Sequence, residues 1–479
     1  MSKRKTNIQV NYNYESSEQS DSSESDYTIT DSESEAETDI INPVLDEYSV
    51  SSDNLFYEMK AFESSAGSKI PKLSSPFQYF KLFFTDGFIM NIVENTNKYG
   101  KKKRKQFTQI TYEEFNAFTG IAISFLYSYY ILTYFIIIFK AITIIMSFVV
   151  LPEIRHYWSK LYNWSSLNCV TDLMCKNRYF EILGNFSITS RRKHGNKLFK
   201  VQPMIDHLKT KFKDCCHYSE HLSIDESMIK FKGISSMKQY LPMKPIKRGF
   251  KCWVMCDSKN GYVFDVDIYK GREKGAVPTT SLGERVVLKL ISGLEKNYHS
   301  IYFDNFFMSI DLVGKITRLN QYCCGTIRSN RRGLPPNLPK DKSMKKGDQF
   351  IRYKKNILFI KWMDNRSVHV ISNYLNITNN TVVRRDKQGK KIKTNCPGLI
   401  SDYNQYMGGV DHMDQLISMY QRDRKSKRYW LRIYFYLFEM CLVNAFVLFN
   451  KDHEDKMVLL DFRNSVYLGF KGKDSNLKR

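Results

Sequence analysis

Residues 221–231, HLSIDESMIKF, decide how the rest of this chain is read. They read as a strand, and the strand carries Asp225. Downstream, KCWVMC (251–256) and YVFDVDIY (262–269) alternate apolar and polar residues around Ser258-Lys259-Asn260-Gly261. Asn-Gly between two such runs signals a tight hairpin in which both turn residues take positive φ. GERVVLKLISGL (283–294) follows as a helix with Val286, Leu290 and Leu294 on one face. HSIYFDNFF (299–307) reads as a buried strand ending in Asp304, FMSIDLVGKITRL (307–319) as a helix and QYCCGTIRS (321–329) as a strand. The order is strand, strand, strand, helix, strand, helix, strand, so the class is α/β.

Before this block, residues 152–220 show apolar residues at three- and four-residue spacing and read as helical. After it, residues 331–395 are basic and contain short strand-like runs, as an inserted β-rich module would. Residues 401–409, SDYNQYMGG, then lead into a helix, VDHMDQLISMY, that carries Asp411 and Asp414. Residues 428–450 form a strongly apolar, aromatic helix.

Charge is unevenly placed. The 479 residues sum to +24, yet residues 1–55 hold 13 acidic and three basic side chains, a net of −10. The remainder holds 70 basic and 36 acidic residues, a net of +34. A body this basic points to a polyanion, nucleic acid before membrane surface, with a merely solvated basic surface as the bland alternative. Few apolar residues interrupt the Ser-, Glu- and Asp-rich start, so it reads as a disordered tail. The run Lys101, Lys102, Lys103, Arg104, Lys105 reads as a nuclear localisation signal, a phosphate-contacting patch or a solvated loop. The run Arg422, Arg424, Lys425, Lys427, Arg428 reads as a grip on phosphates or a solvated helix end. None of the ten cysteines falls into a CxxC pairing, so no zinc site is expected. No signal peptide opens the sequence.

Residues 118–151 are anomalous. Ile121 to Phe139 is nearly all apolar or tyrosine and long enough to span a bilayer. The surrounding basic context, the lack of a separate aromatic belt and the interruption at Lys140 argue against a membrane span.

Three carboxylates sit where metal chemistry wants them. Asp225 lies on the first strand, Asp304 ends the fourth, and Asp411 falls in the first turn of a helix with Asp414 three residues on. Magnesium takes hard oxygen ligands, and two such ions about 4 Å apart activate an attacking oxygen and stabilise a leaving one. The alternatives are a strand-end surface residue for Asp225, an Asx-turn for Asp304, and helix N-terminal acids for Asp411 and Asp414. His412 lies on another helical face and reads as a non-ligand.

The segments SIDESMIKFKG, KQYLPMKPIKRGFKCWVMCDS, YFDNFFMS, GTIRSNRRGLP and DYNQYMGGVDHMDQ together resemble the piggyBac transposase family, in that family's order, across residues 76–450. The resemblance implies an RNase H-like catalytic core with a β-rich insertion, flanked by a mostly helical dimerisation and DNA-binding domain, behind a disordered acidic N-terminal tail. It implies a tail over 1–75, helical domain over 76–220 and 416–460, core over 221–330 and 396–415, insertion over 331–395, and a short tail over 461–479. It assigns the catalytic aspartates to Asp225, Asp304 and Asp411 and adds Asp414 as a further metal ligand, with two magnesium ions. It implies DNA as partner, a homodimer, a nuclear protein, no small-molecule substrate, and strand cleavage and transfer at TTAA sites. The alternative is a domesticated DNA-binding protein on the same scaffold that does not cut. Two departures stand out. No cysteine follows Cys441, so the family's cysteine-rich zinc domain is not expected here. About 22 apolar and tyrosine-rich residues, near 124–145, intervene where family members run straight on, as a retained intron would.

Overall fold

Strand β1 (His221–Lys230) is the axis of the molecule. The computed structural model describes residues 48–49, 59–64, 67–103, 109, 144, 146, 151, 153–159, 175–189, 195–271, 280–385, 389–420 and 426–470. Among these, β1 pairs antiparallel with β3 (Arg248–Asp257) and parallel with β5 (Ser300–Phe303). On its far side β3 takes β2 (Gln239–Tyr240) and β4 (Val263–Ile268). Strand β5 pairs parallel with β6 (Tyr322–Thr326). Parallel neighbours need a crossover. Helix α5 (Leu282–Ile291) leads into β5, and α6 (Ile310–Arg318) carries β5 back to β6. Ser281 and Ser309 cap these two helices through their hydroxyls. The mixed α/β order read from the sequence holds, and it fits an RNase H-like core.

The β-rich stretch expected over 331–395 supplies β7 (Gln349–Lys354), β8 (Ile357–Met363) and β9 (Ser367–Ser372). Strand β9 pairs with β6, so these three continue the central sheet to nine strands in the order β2-β3-β1-β5-β6-β9-β8-β7, with β4 also on β3. Strands β10 (Asn379–Arg385) and β11 (Lys391–Pro397) form a separate ribbon. The expected hairpin joins β3 to β4, but Asn260 and Gly261 do not both take positive φ. Only Gly261 has positive φ, at +74°. The turn is instead organised by Asp257, whose carboxylate accepts the N–H groups of Lys259 (2.7 Å) and Asn260 (3.2 Å).

Helices flank the sheet from both ends of the chain: α1 (Pro76–Phe83), α2 (Asp86–Lys103), α3 (Lys176–Asn185) and α4 (Gln202–Cys215) before it. After it come α7 (Gly398–Tyr406), α8 (Gly409–Tyr420), α9 (Tyr429–Asp452) and α10 (Leu459–Phe470). Helix α9 is apolar on nearly every side because it is a core helix. It has the length and mean hydropathy (1.6) of a membrane span, but 89% of its apolar window is buried. Phe438 on α9 packs edge-on against Phe80 and Phe84, joining α1 to it. Two lysines of α4, Lys209 (2.8 Å) and Lys213 (2.6 Å), close on the buried Asp265 of β4 and fix the helical layer to the sheet.

Three expectations change or fall away. Residues 459–470, all but the first two expected in a terminal tail, form α10, because Phe462, Val466 and Tyr467 are buried and Arg463 pairs inside with Glu439 at 2.7 Å. Residues 48–75, expected within a disordered tail, include anchored pieces. Ser49 exchanges two backbone hydrogen bonds with Tyr353 of β7, and Phe62 packs on His299. The acidic stretch 1–47 and the anomalous 124–145 lie outside the described residues, apart from Ile144, which is buried in the core.

Candidate active site

Side chains alternate along a strand, so Ser223, Asp225 and Ser227 share one face of β1. Helix α8 lies on that face. Its first residue, Gly409, abuts Ser223 and the Asp257 carbonyl, where a Cβ would collide with both. Further along, Ser227 Oγ donates to Asp414 Oδ1 at 2.6 Å. Asp225 therefore faces the helix between these two contacts, at the level of Asp411. Across the parallel pair, Ile224 is in register with Phe303, which puts Asp304 beside Asp225 at the carboxyl end of β5. Adjacent strands run about 4.8 Å apart. Carboxylates on three elements thus lie near enough to act on one another at one pole of the sheet.

The pole is electrostatically strained. Burial pushes the Asp225 carboxyl up from an ordinary 3.8 to about 7; the charges of Asp304 and Asp411 add to this, while Lys244 and the Glu226 N–H oppose it. Burial pushes Asp414 up to about 6, tempered by hydrogen bonds from Ser227 and from Tyr436 of α9 at 3.3 Å. Asp304 is held by its own turn, its carboxylate accepting the Phe306 N–H. Asp411 is exposed in the first helical turn, where the macrodipole favours an acid. Among the described residues, no three His, Cys, Asp or Glu side chains are gathered tightly enough to enclose an ion as they stand. The donor chemistry still fits a divalent ion, because the ligands are hard oxygens and their crowding is what a cation relieves.

Sequence reasoning missed the residues that frame these carboxylates. Ser227, two residues beyond Asp225, was legible from strand alternation alone. Tyr436 was not, because only tertiary packing brings α9 to Asp414. Lys244 and Lys251 close on the two oxygens of Glu226 at 3.3 and 2.6 Å. His412 is exposed.

Of the basic runs, Lys101, Lys102 and Lys103 are exposed in the last turn of α2. Arg104, Lys105, Arg422, Arg424 and Lys425 lie outside the described residues. Lys427 is exposed. Arg428 departs from the phosphate-gripping role, since its guanidinium donates to the carbonyls of Leu183 (2.9 Å) and Gly184 (3.3 Å) at the end of α3. Lys103 Nζ reaches the same Gly184 carbonyl at 3.4 Å. The two runs, far apart in sequence, therefore meet at one corner.

The fold is that of a transposase. A solved piggyBac transposase synaptic complex with hairpin DNA matches it with a TM-score of 0.67 and 22% identity, over 87% of this chain and 86% of that one. The chain belongs to the Transposase IS4 family, whose family model matches residues 75–129 and 136–446. The piggyBac resemblance read from its motifs is borne out. The chain is 28% identical over 413 residues to human PiggyBac transposable element-derived protein 3 and 26% over 410 residues to human PiggyBac transposable element-derived protein 2. These matches cover 82% of this chain and 64% of each relative, so the chain spans less than two thirds of their length.

Proposed function

We propose that this chain cuts and rejoins DNA strands at TTAA sites with divalent metal, as a piggyBac-type transposase or a protein derived from one. The observation that carries the reading is the placing of Asp225 and Asp304 one residue beyond the last paired residues of adjacent parallel strands, with α8 laying Asp411 over the same face of β1. Asp225, Asp304 and Asp411 would hold the ions, with Asp414 contributing where its bonds to Ser227 and Tyr436 allow. Magnesium bound there supplies charge neutralisation at a phosphate and an activated oxygen nucleophile. The chain's own part is to fix the carboxylates on a rigid sheet and to present DNA from the basic corner of Lys101, Lys102 and Lys427. Within this reading the layout is a catalytic core split by an insertion, the protein acts as a homodimer, and it works in the nucleus. Cleavage of TTAA-flanked duplexes in magnesium, lost in Asp304→Ala, is the expected result. No cleavage by the unaltered chain under the same conditions refutes it.

A second reading has its own observation. One carboxylate oxygen of Asp414 already accepts from two hydroxyls, those of Ser227 and Tyr436. That arrangement suits a domesticated DNA-binding protein. Salt-dependent DNA binding with no cleavage in magnesium or manganese supports it.

A further inference from the structure

Residues 227–256 carry seven basic side chains and no acidic one, and their turn stands beside the acidic pole. Leu241 N–H donates to the Lys247 carbonyl at 2.8 Å and Lys244 N–H to the Leu241 carbonyl at 3.2 Å, which closes residues 241–247 into a turn. Pro242 and Pro245 fix the backbone on either side of Met243-Lys244. The two side chains then part. Lys244 folds inward to Glu226, and its charge acts on Asp225, Asp411 and Asp414. Glu226 also serves Lys251, so two ammonium groups share this one carboxylate and Lys244 stands between it and the aspartates. Met243 stands out into solvent, 95% exposed. An apolar side chain exposed on a proline-braced turn amid basic residues has the make-up of a wedge between base steps, and an ammonium at the edge of the carboxylates has that of a phosphate clamp.

We propose that the Leu241–Lys247 turn grips the DNA end being processed: Lys244 holds the phosphate next to the carboxylates, and Met243 wedges against the adjacent base step. This deepens the strand-cleavage reading and rests on it. The test uses the full chain and a TTAA-flanked duplex with 2-aminopurine beside the cut, followed by binding at several salt concentrations, fluorescence and single-turnover cleavage. Lys244→Met lowers the salt slope of binding by about one and slows cleavage, and Lys244→Arg restores both. Met243→Ala keeps the salt slope and loses the fluorescence rise that unstacking gives the unaltered chain. An unchanged slope in Lys244→Met, or an unchanged fluorescence rise in Met243→Ala, overturns the proposal while cleavage by the unaltered chain leaves the parent reading standing. An unaltered chain that binds without cutting sinks the parent reading, and the slope and fluorescence still decide the clamp. A chain that does not bind DNA overturns both.

Discussion

Replacing Asp225 by asparagine should stabilise the metal-free protein above neutral pH while abolishing strand cleavage. In the unfolded chain this carboxyl ionises near 3.8, and in the fold near 7. The folded state therefore holds the proton over an interval where the unfolded state has lost it. Stability from this group is complete below about pH 4 and drains away as pH rises through 7. The gap is about 3 pKa units, each worth ~1.4 kcal/mol, which sets a ceiling of ~4 kcal/mol. Asp225 is half-buried, and water at the rim screens part of that, leaving ~2 kcal/mol. Asparagine has no proton to lose, so the variant's advantage is near zero at pH 4 and largest at pH 8. For a body of this size, ~2 kcal/mol raises Tm by about 2–3 °C. Thermal unfolding of both proteins in EDTA across pH 4–8 measures it. Magnesium should reverse the order at pH 8, raising the Tm of the aspartate protein only. An asparagine variant equal to or less stable than the parent at pH 8 in EDTA refutes the claim that crowded, buried carboxylates strain the pole.

Gly409→Ala should cost ~1–3 kcal/mol, read by urea denaturation, and reduce cleavage, because its methyl collides with Ser223 and the Asp257 carbonyl and lifts α8 from β1. Arg463→Met should cost ~3–5 kcal/mol by stranding the buried Glu439, and the double variant with Glu439→Leu should recover most of it in the same assay. Arg428→Ala should cost ~1–3 kcal/mol by freeing the Leu183 and Gly184 carbonyls, without lowering the salt slope of DNA binding. Lys102→Ala should do the opposite, leaving Tm unchanged and reducing that slope by about one.

The central sheet was legible because its signals are local. Short, mostly apolar runs mark β3 and β4, which are buried at nearly every residue, and the apolar faces of α5 and α6 mark the crossovers that make β5 and β6 parallel. What alternation does not carry is partnership, so β7–β9 read as strands without showing that β9 completes the sheet against β6. Asn260-Gly261 marked the hairpin but misled about positive φ at Asn260, because the Asp257 carboxylate accepts the Lys259 and Asn260 N–H groups and organises the turn. Helix α10 was hidden because Arg463 reads as a surface charge until Glu439, 24 residues earlier, is placed opposite it. The aspartates were visible as residues, and Asp225 and Asp304 even as neighbours. The bonds that hold Asp414 were not, since Ser227, Asp414 and Tyr436 come from three elements.

Those three residues also tie chemistry to grip. Tyr436 holds Asp414 from α9, and Arg428, the residue just before α9, anchors the basic corner to the end of α3. Eight residues of rise separate the two anchors, about 12 Å along the helix axis. That corresponds to about 3–4 base pairs of duplex. Because α9 is buried along most of its length, it acts as a strut rather than a tether. Under the proposed DNA-binding role, a phosphate held at Lys102 or Lys427 would thereby sit at a set distance from the carboxylates, whether the chain cuts the strand or only binds it. Adding a helical turn to α9 between Arg428 and Tyr436 would shift the cut relative to the bound phosphates in the first case, and shift only the footprint in the second.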